Sequence, residues 1–193
     1  MNTFRSCSIL LLCLVSSVAL AQEPAVSEEE VVDDTVMAAD ADAQPIARSL
    51  EGMYAMTSAN IMKTAEMLDD EMYAYRPTED VRSTGEMLAH IANAQYLFCS
   101  TAYGTENPNA MDFEESATTK DEIVAALKRA FAYCNDVYAS MTDAQSAEMR
   151  TVFGNEMAVA GVLAFNTTHN YEHYGNLVTY MRMNGIVPPS SQQ

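Results

Sequence analysis

The chain has 193 residues, of which 27 are acidic and 10 are basic, and its formal charge at pH 7 is −17. Nucleic acids and anionic membrane surfaces are bound through clustered Lys and Arg, so this composition argues against both as partners. The length is sufficient for one domain with a large apolar core once the N-terminal segments are set aside.

The first 21 residues have the pattern of a secretory signal peptide. Arg5 supplies a positive charge, Ile9 to Val15 form a short apolar run, and Ala19-Leu20-Ala21 gives a small-residue cleavage motif. The apolar run is shorter than the ~20 residues that a membrane-spanning helix needs. We therefore expect cleavage, no membrane span in the mature protein, and a periplasmic or secreted location.

Residues 22–44 carry eight acidic residues and no Lys or Arg. They show no sustained helical or strand period. This composition predicts a disordered acidic leader, because the segment has too little apolar surface to offset the entropy of ordering.

Residues 45–193 are expected to form one all-α domain. Its first helix begins near Pro45 and runs to about Leu68, because apolar side chains recur there at steps of three, four and seven residues. Residues 69–82 then break the pattern, and Pro77 disfavours a helical Arg76. The inward face of this helix is predicted to carry Ile46, Leu50, Met53, Thr57, Ile61 and Leu68.

Three further helices follow. The second starts at a capping box formed by Ser83 and Glu86 and continues to Gly104. The third is capped by Thr118 or Thr119. The fourth runs from about Met157 to Asn184, and residues 151–154 form a short extended entry to it. The inward stripe of the third helix is Ile123, Ala126, Leu127, Ala130, Cys134, Val137 and Tyr138.

The connector between the second and third helices, roughly residues 102–118, is long for a helical hairpin. Fully extended, it reaches roughly 56 Å, which is enough to run back along a helix of ~30 Å. The second and third helices can therefore be parallel. Four helices of this length predict a four-helix bundle with one long crossover.

Removal of the signal peptide leaves two cysteines, Cys99 and Cys134. An exported protein meets an oxidising compartment, which favours disulfides. A bridge between these two residues and a pair of buried free thiols both fit the sequence.

The chain contains three histidines, His90, His169 and His173. His169 and His173 are four residues apart, so they share one helical face, and that spacing lets two imidazoles bind one metal ion. His90 lies with Met87, Ala94 and Leu97 on the predicted inward stripe of the second helix. Three inward histidines on two helices of one bundle can converge on a divalent metal, although hydrogen-bonded core histidines give the same pattern.

Polar residues flank the histidine pair on the fourth helix. Glu172 completes H-x-x-E-H, in which inverted zinc proteases place their general base, but no Asp or Glu follows His173 as the further ligand of that class. Glu172 is the candidate catalytic residue for proton transfer in another metal enzyme, and a solvated surface carboxylate is the alternative. Asn166 and Asn170 are either donors to the imidazoles or packing residues.

Two stretches resemble the DinB superfamily of DinB/YfiT-like proteins. Residues 75–98, YRPTEDVRSTGEMLAHIANAQYLF, are similar to that family's Arg-Pro turn and histidine-bearing second helix, and residues 165–191 are similar to its H-x3-H helix. The resemblance covers residues 45–191. It implies a four-helix bundle of up-down-down-up topology and a divalent metal, usually zinc or nickel, held by His90, His169 and His173.

The resemblance also implies chemistry. Some relatives are transferases or isomerases that use mycothiol or bacillithiol, which are cytosolic, so the predicted export points to a different small-molecule substrate. We expect an exported, metal-dependent hydrolase or transferase, with a non-enzymatic metal-binding or stress-related bundle as the alternative. Homodimerisation through an outer helical face stays open.

Overall fold

The computed structural model describes residues 43–192. The predicted signal peptide and residues 22–42 of the predicted leader lie outside the described residues. No helix within the described range is both long and apolar enough to cross a membrane. The helices are α1 (Pro45–Met67), α2 (Asp70–Ala74), α3 (Thr84–Tyr103), α4 (Phe113–Ser116), α5 (Lys120–Ser140), α6 (Asp143–Ser146) and α7 (Val159–Met183). A hairpin of β1 (Met149–Val152) and β2 (Asn155–Ala158) precedes α7, and a 3-10 turn spans Pro189–Ser191.

The domain is mostly helical, and its four long helices enclose one core. Helix α3 packs against α5 and α7, and α1 packs against the same two helices. Every member of the inward stripe predicted for α5 is buried, which confirms that prediction. In the centre, Tyr54 of α1 stacks on Tyr138 of α5, with ring centroids 4.1 Å apart.

Polar contacts show which ends of α1 and α5 lie together. The carboxylate of Asp143, which follows α5, accepts a hydrogen bond of 2.9 Å from the backbone N–H of Ala47 in the first turn of α1. At the other end, the Lys120 ammonium at the start of α5 donates to the carbonyl of Leu68 at 2.5 Å. The start of each helix therefore lies beside the end of the other.

A disulfide joins Cys99 of α3 to Cys134 of α5, with the Cα atoms 5.5 Å apart. Both residues are fully buried. Of the two alternatives left by the sequence, the bridged one is present. The Asn166 amide of α7 lies 3.6 Å from the Cys99 sulfur, so three long helices meet at the bridge.

The predicted helix caps are confirmed at α3 and α5. The Ser83 hydroxyl accepts from the Glu86 N–H while the Glu86 carboxylate accepts from the Ser83 N–H, and Thr119 forms the same capping box with Glu122. The pKa of Glu86 is lowered, chiefly by the backbone hydrogen bond from Ser83 and further by Arg76. Helix α3 ends at Gly104, whose φ of 78° suits a residue without a side chain.

The predicted inward face of α1 is partly wrong. Ile46 and Met53 are exposed, and Ala47 and Tyr54 take the inner positions instead. Two stripes one residue apart, about 100° around the helix, both satisfy three- and four-residue steps. The packing of Tyr54 on Tyr138 selects between them.

Secondary structure also departs from the prediction near the fourth long helix. Helix α7 begins at Val159 rather than near Met157, because Met157 pairs with Arg150 in the hairpin. The predicted extended entry at residues 151–154 covers the end of β1 and the hairpin turn. Short helices α2 and α4 lie in segments for which the sequence predicts no helix. Helices of one turn contain too few residues for an apolar period to be recognised.

Candidate metal centre

The three histidines lie together between α3 and α7. The Nε2 atom of His169 is 3.2 Å from Nε2 of His90 and 3.0 Å from Nε2 of His173. One ring nitrogen from each of the three lies within 4.8 Å of the others. His173 is buried, and His90 and His169 are half-buried. The residues that the sequence singles out thus form one cluster.

These separations fit a shared metal ion. Zinc binds imidazole nitrogen at about 2.0–2.1 Å, so two nitrogens that bind one ion at ligand angles of about 90–110° lie roughly 2.9–3.4 Å apart. The Nε2 separations of His169 from His90 and from His173, 3.2 and 3.0 Å, fall within that range. The cluster can therefore hold a divalent ion.

The protonation state of the cluster also suits metal binding. Burial and, to a smaller extent, the neighbouring His90 together lower the pKa of His169 to about 4. Burial likewise lowers the pKa of His173 to about 3, with a further contribution from His169. Both imidazoles are neutral at pH 7, and the neutral form offers the lone pair that a metal needs.

A carboxylate fixes the orientation of His90. Glu114 Oε1 lies 2.8 Å from His90 Nδ1, and Glu114 Oε2 accepts from Arg82 Nε at 2.7 Å. An ionised carboxylate only accepts, so it holds the proton on Nδ1 and leaves the Nε2 lone pair facing the other histidines.

Glu114 is not among the site residues predicted from the sequence. The residue lies on α4 in the long connector, 24 positions from His90. The Asp112 side chain caps this short helix, and that local signal was readable from the sequence. No local signal shows that α4 docks against α3.

The Nδ1 atoms of His169 and His173 have no hydrogen-bond partner among the described residues. Each is buried, so no described side chain fixes the tautomer of these two rings. His90 is the histidine that the surrounding side chains orient most tightly.

Glu172 lies on the exposed side of α7. It lines a depression of about 570 Å³ that is also lined by His173, Arg82 and Tyr180. No hydrogen bond joins its carboxylate to an imidazole within the described part of the chain. The assignment of Glu172 as the catalytic residue stays a prediction.

Asn166 and Asn170 are packing residues rather than partners of the imidazoles. The Gln95 amide of α3 donates to Asn170 Oδ1 at 2.7 Å, and Asn166 donates to Gln95 Oε1 at 3.1 Å. All three side chains are fully buried. They hold α3 against α7 directly beside the histidines.

The cluster is open to solvent on two sides. His90 and His169 line a second depression of about 670 Å³, separate from the one that His173 lines. A closed structural site would be covered, so the arrangement leaves room for a substrate.

Known proteins share this sequence pattern. The sequence profile of the DinB superfamily matches residues 53–177. YjoA of Bacillus subtilis strain 168 is 24% identical over 123 residues, which cover 63% of this chain and 79% of YjoA.

Solved structures share the fold. The crystal structure of YjoA matches with a TM-score of 0.60 at 23% identity, covering 75% of this chain and 98% of YjoA. A DinB-like protein from Bacillus cereus ATCC 10987 matches with a TM-score of 0.65 at 17% identity, covering 74% of this chain and 95% of the other. A mycothiol-dependent maleylpyruvate isomerase matches with a TM-score of 0.57 at 12% identity, covering 68% of this chain and 60% of the isomerase. Because the family profile spans most of the described helical domain, the chain belongs to the DinB superfamily.

Proposed function

We propose that this protein is a metal-dependent enzyme, a hydrolase or a transferase, that acts on a small molecule. His90, His169 and His173 hold a divalent ion, zinc or nickel. The observation that carries the proposal is the convergence of three histidines, with Nε2 of His169 3.2 Å from Nε2 of His90 and 3.0 Å from Nε2 of His173, between two separate depressions. An ion held by three imidazoles would keep coordination positions free and would supply Lewis-acid polarisation of a substrate or water.

The surrounding side chains have separate roles. Glu114 and Arg82 fix the ring of His90, because the carboxylate bridges the imidazole and the guanidinium. Glu172 faces the depression beside His173 and is the residue that we assign to proton transfer. The buried amides of Gln95, Asn166 and Asn170 keep the two ligand-bearing helices in register.

A non-enzymatic metal-binding protein is the second candidate. The observation in its favour is that Glu114, the one carboxylate among residues 43–192 that hydrogen-bonds to the cluster, is already paired with Arg82. The identity shared with the mycothiol-dependent isomerase is 12%, so its substrate is not transferred to this chain.

Metal content tests the proposal. Elemental analysis of protein purified without chelator or nickel affinity resin should give about one equivalent of transition metal. His169→Ala should lose that metal, because it removes the nitrogen that lies next to both others. Tyr171→Ala, an exposed change on the same helix, should retain it. Failure of the wild-type protein to take up zinc or nickel would refute the metal centre.

We extend the proposal to export. Its support is the charge, apolar run and cleavage motif of residues 1–21. The intact mass of protein recovered from the periplasm or medium should correspond to a chain that begins at Gln22. Full-length protein retained in the cytoplasm would contradict export.

We also infer a four-helix bundle of up-down-down-up topology. Helices α1 and α5 have opposite ends together, as the contacts of Asp143 and Lys120 indicate. Helices α3 and α7 are antiparallel, because Tyr180 near the end of α7 donates to the carbonyl of Arg82 just before α3. Helices α3 and α5 are inferred to be parallel. Gly85 in the first turn of α3 lies against Ile123 in the first turn of α5, and the disulfide joins the two helices further along, at Cys99 and Cys134.

A further inference from the structure

The depression beside His90 and His169 is apolar. It has a volume of about 670 Å³ and lies between α3, α7, the connector and the hairpin turn. Exposed apolar side chains gathered in one concave site mark a ligand pocket more often than a bare surface. Four such residues line it: Leu97, Met111, Phe153 and Phe165.

Aromatic rings connect this pocket to the histidine cluster. The Phe98 ring centroid lies 5.6 Å from that of His169, 5.2 Å from that of Phe165 and 5.9 Å from that of Phe153. The apolar surface is therefore continuous from the cluster to the hairpin. A flat apolar molecule in the pocket would lie against rings that already pack edge to face.

Phe153 is not explained by the fold. Phe153 and Gly154 form the two-residue turn between the paired residues Val152 and Asn155, with φ values of 50° and 76°. Such turns favour Asn-Gly, and a bulky residue at positive φ is uncommon. The Phe153 side chain is 66% exposed, so core packing does not require it. A strained, exposed aromatic residue at the rim of a pocket points to ligand contact.

The charge of the pocket restricts what it can bind. No Lys or Arg is among the described residues that line it, and its one carboxylate belongs to Asp112. That carboxylate accepts from the Asn93 amide and from the Glu114 N–H. No side chain of the metal-free pocket offers a cationic partner to a buried anion, so that form favours a neutral ligand.

We propose that this pocket binds a neutral small molecule with an aryl-sized apolar body, and that Phe153 is a specificity-determining residue for it. The polar group of the molecule points toward His90 and His169. The inference rests on the proposed function, since it places the reacting group at the metal centre. The volume of about 670 Å³ lies within the range of small-molecule sites.

Binding of 2-naphthol tests the pocket independently of the metal. Titration calorimetry is run on chelator-treated protein and on zinc-loaded protein. Both forms should bind 2-naphthol. The chelator-treated form should bind naphthalene-2-sulfonate at least tenfold more weakly, because no cationic side chain lines the metal-free pocket. Binding by the chelator-treated protein separates the pocket from the metal proposal, which elemental analysis tests.

Matched variants locate the binding. Phe153→Asn places the residue that the turn favours, so the variant should fold with unchanged or higher Tm and bind 2-naphthol at least fivefold more weakly. Met111→Gln on the connector should weaken binding in the same direction. Met56→Gln, an equally exposed apolar residue of α1 outside the pocket, should change the affinity by less than twofold.

Four outcomes would overturn the proposal. One is absence of 2-naphthol binding to wild-type protein, and another is equal binding by Phe153→Asn. A third is binding of 2-naphthol that appears only after residues 22–42 are deleted. That result would show that the leader, rather than a small molecule, occupies the pocket. The fourth is a sedimentation result in which Phe153→Asn converts a dimer to a monomer while the affinity for 2-naphthol is unchanged. That result would show that Phe153 contacts a second copy of the chain rather than a small molecule.

Discussion

At the scale of single residues, Glu114 decides how well His90 is prepared for a metal. One oxygen of its carboxylate lies 2.8 Å from Nδ1 of His90, and the other accepts a hydrogen bond of 2.7 Å from Nε of Arg82. Groups that orient a metal-binding histidine in this way raise its basicity and fix its ring. The sequence identified the histidine from its helical face, but not the partner from the connector.

Replacement of this carboxylate has a defined expected cost. Glu114→Gln should weaken zinc affinity by roughly tenfold to a hundredfold, because the neutral amide no longer holds the His90 proton on Nδ1. Competition with a fluorescent zinc chelator measures the change. Glu115→Gln, an exposed neighbour on α4, should leave the affinity unaltered. Equal losses in the two variants would show that connector charge, rather than the contact with His90, matters.

The histidines also predict a response to acid in metal-free protein. The folded-state pKa values of His169 and His173, about 4 and about 3, lie below the ordinary value of 6.5. The unfolded chain therefore takes up protons first, and the free energy of unfolding should fall as pH drops from about 6.5 toward 4. Urea titrations of chelator-treated protein at pH 7, 6 and 5 measure it. His169→Gln should show a shallower decline, and an identical decline would contradict this origin.

At the scale of elements, the helix starts follow from a few adjacent residues. The capping boxes of α3 and α5 join positions three residues apart, so the sequence alone predicts them. The hairpin before α7 was not recognised, because its turn is Phe153-Gly154 rather than a common turn pair. Helix α7 consequently starts two residues later than the pattern suggested.

The cap of α3 is directly testable. Ser83→Ala should lower the free energy of unfolding by about 1 kcal/mol, because the backbone N–H of Glu86 loses its acceptor in the partly buried first turn of α3. Urea unfolding followed by circular dichroism gives the value. Ser190→Ala, an exposed serine after α7, should change it by less than about 0.5 kcal/mol. If the Ser83 variant is as stable as wild type, the hydrogen bond contributes nothing to the fold.

At the scale of the whole molecule, the disulfide fixes α3 to α5 across the long connector. It links residues 35 positions apart, and both half-cystines are buried beside Asn166 of α7. The sequence left the bridge open, since the separation of two cysteines along a chain does not fix their distance in space. Docking of the two helices decides it.

Loss of the bridge should destabilise the domain. The double variant Cys99→Ala/Cys134→Ala should lose about 3 to 4 kcal/mol of unfolding free energy, as expected for a loop of this length. Alkylation of wild-type protein without reductant should leave its intact mass unchanged. Two alkyl additions would show that both thiols are free, and an equally stable double variant would show that the bridge does not support the fold.

The sequence by itself determined the helical class, the caps, the inward stripe of α5 and the shared helical face of His169 and His173. These features depend on backbone hydrogen bonds and side-chain periodicity over a few residues. Only the tertiary structure decided the inner face of α1, the contact of Glu114 with His90, the disulfide and the aromatic pocket at Phe153. Those features join residues far apart in the chain, and helix docking, which no local pattern encodes, brings them together.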